Sequence, residues 1–373
     1  LEGLLCRWWS LIEGGSHRDE VSLPYVIAES APDGQRVLLS GPPTWLVDRF
    51  LVVPRDENTF AAAARELSAR FPAQYSRAAH KIHLSRGSPT HWGVDVVVPV
   101  HNALKWVGPC LNSVDEARRQ GLDRIVIVDD GSDTQTRNFL SQFQSGRDDV
   151  ELIRHDSALG FAVAANAGLR ASTARTVVVL NSDTIVPRGC FERLESALNG
   201  VLKAGLVGPL SNAASYQSIP RQEPNHWERV GGQTTVNSLT DGASVASINK
   251  ALRSRLDSYV LRVPALHGFC LGIRRELIES IGYFDEEAFP RGFGEEDDYC
   301  VRAVDAGWSP VLALDVYVWH RKTASYNPGT RRALAERGRQ VFLHKYGHNR
   351  RRNIVSALKA TGDELRALTA GLL

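Results

Sequence analysis

The chain has 373 residues, with 44 Lys and Arg against 42 Asp and Glu, a net charge of +2, and 43% hydrophobic and 23% charged residues. This is the composition of an ordinary globular protein, and it excludes a global field that would draw in nucleic acid or membrane. The length allows one large α/β domain plus something smaller.

Residues 1–92 read as an accessory α/β segment. Arg36-Val37-Leu38-Leu39 and Phe50-Leu51-Val52-Val53 look like strands. Glu57 to Phe71 looks helical, with Phe60, Ala64, Leu67 and Phe71 on one face. Ser85 to Thr90 has the composition of a linker. The chain begins without Met and contains none, which reads as a fragment of a longer protein, and Leu1 to Cys6 is too short and too acidic for a secretory signal. No apolar run approaches the roughly 18 residues of a spanning helix. Cys6, Cys110, Cys190, Cys270 and Cys300 are scattered with no C-x-x-C pair, which suits reduced, buried cysteine in a cytoplasm-like compartment.

From Val94 the pattern is regular. Val94 to Val100 is a near-continuous apolar strand of the kind buried on both faces. Leu104, Val107, Leu111 and Val114 form a helical stripe. Ile125 to Val128 is a second strand, ending in Asp129-Asp130-Gly131-Ser132-Asp133, and the next helix holds Phe139 and Phe143. Val150 to Ile153, then Gly160 to Leu169, Thr176 to Leu180 and Phe191 to Leu198 continue as strand, helix, strand and helix. Such alternation predicts a doubly wound, mostly parallel sheet with helices on both faces. Pro209 to Leu252 reads as a long polar loop, a candidate lid. Helices are expected from about Arg274 to Ile281, Glu295 to Ala306 and Arg331 to Leu343, with a strand over Val311 to Trp319. A basic amphipathic tail over 347–373 ends the chain, and a membrane-surface contact is its second reading beside a packed terminal helix.

Ligands of parallel sheets bind at the carboxyl ends of the strands. His101-Asn102, Asp129-Asp130 and Asn181-Ser182-Asp183 all fall at such ends, and this coincidence gathers them into one site. No G-x-G-x-x-G follows the first strand, so a dinucleotide fold is disfavoured, and an aspartate there suits a base edge or ribose hydroxyl. Asp183 is a hard carboxylate at a strand tip, suited to a divalent cation on a diphosphate, while Asn181 offers only a neutral amide. Glu295-Glu296-Asp297-Asp298 opens a helix after Gly292-Phe293-Gly294. At about 100° per residue, an apolar stripe of Cys300, Val301, Val304 and Trp308 turns Glu296 and Asp297 towards a pocket and Glu295 and Asp298 away. His320 stands alone after a strand, with Arg321 and Lys322 beside it in keeping with a nearby phosphate.

These segments, in this order, resemble the family-two inverting glycosyltransferases with the GT-A fold. The likeness runs from Val94 to about Tyr346 and rests on Val98-Pro99-Val100-His101-Asn102, Val128 to Asp133, Gly160 to Gly168, Asn181-Ser182-Asp183, Glu295 to Asp298 with Cys300 and Arg302, and Trp319-His320. Each is weak alone, and their order makes them specific. Gly208 to Asn212, His267-Gly268-Phe269-Cys270 and Tyr283 to Glu286 resemble the bacterial rhamnosyltransferase-like, cell-surface-polysaccharide subgroup. The resemblance implies a GT-A domain over 93–346 and a donor-binding set of Pro99, His101, Asn102, Asp129, Asp130, Asn166, Asn181, Ser182 and Asp183. It implies a metal, Mn2+ or Mg2+, on Asp183 and His320, and Glu296 as general base. It implies an acceptor side of His267, Gly268, Phe269, Glu295 and Asp297. Asn181 departs from the acid that the family's metal motif carries in its first place. The implied partners are a nucleotide-diphospho-sugar, UDP- or dTDP-linked, and a glycan or lipid-linked glycan, with no nucleic acid, at a cytoplasmic location on or near the inner membrane face. Two rival classes are a sugar-phosphate nucleotidyltransferase, whose Gly-rich basic phosphate loop is missing after the first strand, and a catalytically inactive nucleotide-sugar-binding module.

Overall fold

The computed structural model describes residues 37–38, 51–52, 93–220, 237, 244–322 and 328–372. The helix expected over 57–71 and the linker at 85–90 lie outside them. The chain divides into two compact units, one of Leu1–Thr90 with Asn199–Leu202 and Tyr259–Arg262, the other of His91–Leu198, Lys203–Ser258 and Val263–Leu373. In the first, β1 (Val37–Leu38) pairs antiparallel with β2 (Leu51–Val52), where the sequence predicts strands.

The second unit begins with the expected alternation: β3 (Val94–Val100), α1 (Leu104–Ala117), β4 (Arg124–Asp130), α2 (Thr134–Gln144), β5 (Val150–His155), α3 (Phe161–Ala171) and β6 (Thr176–Leu180). There follow β7 (Thr184–Ile185), α4 (Cys190–Gly200), β8 (Ala204–Leu210) and α5 (Val245–Leu256). After β9 (Val260–Arg262), which belongs to the first unit, come β10 (Cys270–Arg274), α6 (Arg275–Ile281), α7 (Glu295–Asp305), β11 (Ser309–Tyr317), β12 (Trp319–His320) and α8 (Pro328–Thr369). The helical path of α8 is broken once, at Gly347 with φ 79° and ψ 166°.

Strands of the second unit lie in the order β5-β4-β3-β6-β10-β8-β11. β3 runs parallel to β4 and β6, β4 to β5, and β8 to β11, whereas β10 is antiparallel to both β6 and β8. The sheet is therefore mostly parallel, as predicted, with one reversed strand. Every residue of β3 is buried. Its one acid, Asp95, accepts from the backbone N–H groups of Thr173 and Ala174, at 2.5 and 2.9 Å. Ala162, Ala164, Ala165 and Gly168 bring α3 close against the sheet, and a Cβ on Gly168 would fall 2.2 Å from Val97 Cγ1.

Two expectations need correction. Pro209 to Leu252 is not one loop: β8 runs on to Leu210, and Ser244 caps α5 in a reciprocal box with Ser247, so the helix buries Ile248, Asn249, Leu252 and Leu256. Residues 221–236 and 238–243 lie outside the described residues. On α7 the buried face is Glu295, Asp298, Tyr299, Cys300, Val301 and Ala303, whereas Val304 is 43% exposed and Asp297 is exposed. A second element causes the difference. Asp298 is fully buried because Arg302 Nε (2.8 Å), Tyr346 Oη (2.7 Å) and Lys345 Nζ all donate to it, so α8 covers a face that looks solvent-bound by periodicity.

Candidate functional site

Because β10 is reversed, its leading segment reaches the sheet edge where β3, β4, β6, β8 and β11 end. At the β3–β4 side the chain builds a rigid double loop. Asp133 N–H donates to Asn102 Oδ1 (2.7 Å), Asn102 Nδ2 donates to His101 Nε2 (3.1 Å), and His101 Nδ1–H donates to the Asp130 carbonyl (2.7 Å). These partners fix the histidine as its neutral Nδ1–H tautomer. The carboxylates behind it are heavily engaged. Asp129 accepts from Ser132 N–H and pairs with Arg154 at 3.0 Å, while Asp130 accepts from Leu159 N–H, Gly160 N–H and His155 Nδ1, each at 2.8 Å. Pro99 sits inside β3 opposite Val128. Asn166 braces α3 against the 284–286 segment, because its amide accepts from Phe284 N–H and donates to the Phe284 carbonyl and Glu286 Oε2.

The Asn181-Ser182-Asp183 tip is pinned by Asn181 N–H on the Phe269 carbonyl (2.9 Å), which extends the β6–β10 ladder by one rung. β7 then pairs with β12, Thr184 opposite His320. That pairing brings Asp183 Oδ1 within 3.2 Å of His320 Nε2, with Asn181 Nδ2 3.5 Å from the same nitrogen. The His320 ring stacks on Phe269 at 5.4 Å between centroids and 13° between planes. Its Nδ1 is buried without a hydrogen-bond partner among the described residues.

The acidic helix starts against the same segment. Gly294 N–H is shared between Glu295 Oε2 (3.1 Å) and Glu296 Oε2 (3.3 Å). A Cβ on Gly268 would lie 3.3 Å from Glu296 Cβ, so Glu296 rests on the Gly268 backbone. Burial, and then the Glu296 charge, pushes the Glu295 carboxyl well above the usual range. Burial also raises Glu296, while backbone N–H groups, Gly294 and Gly268 among them, pull it back. Asp297 reaches solvent yet stands in dense protein at the helix start, and the desolvation this brings, then the Glu296 charge, pushes its pKa up to about 7. These carboxyl groups titrate as a set, and a group of this kind can hold or take a proton near neutrality.

Gly268 and Phe269 thus join the Glu296 carboxyl to the Asn181, Asp183 and His320 group. Desolvation, then the Lys322 and His320 charges, lowers His267 to about 3, which keeps its imidazole neutral. Burial, then the Arg331 charge, lowers Lys322 to about 8, with Glu296 partly offsetting this. Periodicity gives no sign of Asn212, which grips the His320 backbone 108 positions on, or of Asp298, which anchors α8 through Lys345 and Tyr346, 47 and 48 positions on.

A divalent cation fits Asp183 and His320 as a two-point hold, since a carboxylate oxygen and an imidazole nitrogen suit Mn2+ and a diphosphate can supply further oxygens. Among the described residues no group of three His, Cys, Asp or Glu side chains converges into a fuller cage. Turned over, the Asn181 amide would add an oxygen.

Residues 95–282 match the sequence profile of "Glycosyl transferase family 2". Among curated proteins, the chain is 29% identical over 230 residues to the pre-mycofactocin glycosyltransferase of Mycobacterium tuberculosis, covering 59% of this chain and 40% of that protein. It is 22% identical over 228 residues to glycosyltransferase AglE of Haloferax volcanii, covering 61% of this chain and 66% of the relative. The match therefore spans less than two thirds of either relative. Similar solved structures include GalNAc-T7 with UDP, GalNAc and Mn2+, with 16% identity, TM-score 0.47, and 62% and 44% of the two chains covered. Another is the mannosyltransferase PcManGT of Pyrobaculum calidifontis with GDP-Man and Mn2+, with 18% identity, TM-score 0.43, and 83% and 86% covered. Among the described residues no helix is long and apolar enough to cross a membrane.

Proposed function

The chain belongs to glycosyl transferase family 2, and from that premise we propose that it is a metal-dependent, inverting glycosyltransferase acting on a nucleotide-diphospho-sugar. One observation carries the reading. The tripeptide His267-Gly268-Phe269 supports both the Asp183–His320 pair and the Glu296 carboxyl, so a cation hold and a candidate base share one floor.

In this reading the β3–β4 double loop, with Pro99, His101, Asn102, Asp129 and Asp130, borders the nucleoside. The Asp129 and Asp130 carboxylates shape that border through their buried bonds, and Asn166 supports it from behind. Asn181, Ser182 and Asp183 face the diphosphate, where Asp183 and His320 would hold the cation. When bound, that cation would neutralise charge building on the leaving group. Lys322 adds positive charge on the same side. Glu296 takes the proton from an acceptor hydroxyl as it attacks the anomeric carbon opposite the leaving diphosphate, and one displacement inverts that centre without an enzyme nucleophile. Glu295, largely buried and with its carboxyl pushed well above the usual range, orients Glu296, while exposed Asp297 and neutral His267 border the acceptor. The acceptor is a glycan or lipid-linked glycan of the bacterial surface, a reading supported by the likeness of Gly208 to Asn212 and Tyr283 to Glu286 to that subgroup.

The test is a screen of UDP-, dTDP- and GDP-sugars with Mn2+ or Mg2+, read first by thermal shift and then by release of nucleoside diphosphate. Donor-dependent stabilisation and release support the reading, and NMR of the product's anomeric centre tests inversion. Binding of donors without turnover by any acceptor would favour an inactive binding module. Release of pyrophosphate from a nucleoside triphosphate and a sugar phosphate would favour a nucleotidyltransferase.

A further inference from the structure

We propose that Asn212 is a positioning residue for this site: it sets the place of His320, and through it the hold on the diphosphate-bound cation. The inference rests on the reading of Asp183 and His320 as the metal pair.

A histidine that binds a metal is normally oriented through its second ring nitrogen, which donates to a carboxylate, a carbonyl or water. His320 has no such support among the described residues, where its buried Nδ1 finds no partner. Its ring lies flat on Phe269, and a flat stack sets the plane of an imidazole but allows it to slide. What fixes the residue is its backbone. His320 N–H donates to Asn212 Oδ1 at 2.8 Å, and Asn212 Nδ2 donates back to the His320 carbonyl at 3.0 Å. One amide therefore closes a two-bond ring on one residue, as a neighbouring strand would. Asn212 is 1% exposed, directly after β8, and Ser211 Oγ also donates to its Oδ1, at 3.3 Å. β12 has only two residues, paired with β7 and flanked by single backbone bonds from Val318 N–H to the Leu210 carbonyl and from Arg321 N–H to the Asp183 carbonyl, so the Asn212 ring is the one side-chain grip on the His320 backbone among the described residues.

The fold contains its own control. Asn249 grips Tyr317 in the same way, accepting from Tyr317 N–H at 2.9 Å and donating to the Tyr317 carbonyl at 2.8 Å, and it is likewise 1% exposed. The chemistry and burial match, but Tyr317 is a core side chain and not a member of the site.

The experiment measures Mn2+ binding in the presence of UDP, GDP or dTDP by electron paramagnetic resonance on the full chain, which needs no turnover. Asn212→Ala is expected to weaken Mn2+ binding by about tenfold to a hundredfold, the usual loss for a partner that orients a ligand. Asn249→Ala should lower Tm similarly yet leave Mn2+ affinity within about threefold. Asn212→Asp keeps the acceptor for His320 N–H and loses the donor, so it should fall between wild type and Asn212→Ala and serves if the latter does not fold. In a His320→Ala background, Asn212→Ala should add nothing further to the loss. Wild-type affinity in both Asn212 variants, an equal loss in Asn249→Ala, or full additivity with His320→Ala would each overturn the clamp alone. Wild-type protein that takes up no Mn2+ with any of the three nucleotides would overturn the metal reading and the clamp together.

Discussion

α8 crosses the start of α7 so closely that Gly338 has no room for a methyl group. A Cβ there would lie 1.7 Å from the Phe293 carbonyl oxygen and 2.9 Å from the carbonyl carbon. Carbon approaches a carbonyl oxygen to about 3.3 Å, so Gly338→Ala forces a retreat of about 1.6 Å. Helix propensity alone favours the substitution by about 1 kcal/mol. Overpacking costs about 1–3 kcal/mol. The retreat also draws Lys345 and Tyr346 away from buried Asp298, and hydrogen bonds to a charged group are worth about 1.5–3 kcal/mol each. The clash therefore wins, with a net loss of about 2–4 kcal/mol. For a domain of this size that lowers Tm by about 5–10 °C. Turnover should fall as well, measured well below the new Tm, because the next residue, Gly294, holds both the Glu295 and Glu296 carboxyls. The assay is thermal unfolding beside donor turnover. An unchanged or raised Tm would mean that propensity wins and that α8 does not seat on the acidic helix as described.

Other expectations concern the chemistry. Asp183→Ala should abolish metal-stimulated turnover and His320→Ala should weaken it, and a wild-type rate indifferent to EDTA would defeat the role given to both. Glu296→Gln should cut kcat by about a hundredfold to ten-thousandfold with donor affinity nearly unchanged, whereas retained turnover together with its loss in Asp297→Asn would move the base by one residue. Glu295→Gln, which keeps a hydrogen-bonding group of the same shape beside Glu296, should hold kcat within about tenfold; a loss as large as that of Glu296→Gln would show that Glu295 carries the reacting proton. For pH, Asp297 is raised from 3.8 to about 7, with Glu295 and Glu296 raised beside it. The folded state then binds these protons more tightly than the unfolded chain. Stability from this source is present at low pH and is lost as pH rises through about 7. Turnover should rise with pH as the base ionises, on a limb displaced above the ordinary glutamate range, and in Asp297→Asn that limb should move to lower pH; an unmoved limb would uncouple Asp297 from the base.

What was legible in the sequence was local. β-branched runs such as Val94 to Val100 and Ile125 to Val128 form central strands because only a sheet covered on both faces hides them. Asp133 caps α2, and the acids of Glu295 to Asp298 stand in the first turn of a helix, as their residue types require. The failures came from distant partners. Cys270 to Arg274, five residues with an internal glycine, gives too weak a strand signal to be predicted, and it becomes β10 only by sitting between β6 and β8. The face of α7 was misjudged because Lys345 and Tyr346, far along the chain, make the buried position of Asp298 favourable. Asp129 and Asp130 are legible as acids at a strand end, but not the Arg154, His155 and turn N–H groups that enclose them. The convergence of Asp183 with His320 was legible only as a motif, since the β7–β12 pairing that creates it involves two residues on each side.

The reversed strand limits how this molecule can change its length. Most segments at the functional edge have just left a strand, and an added residue there lengthens a loop before a helix. His267-Gly268-Phe269 is entering one. A single deletion in it would slip β10 by one place and turn each of its side chains to the opposite face. Leu271 or Ile273 would then occupy the slot of Gly272, where even one Cβ would lie 2.5 Å from Val207 Cγ1. Over these three positions the site can be altered by substitution but not by insertion or deletion.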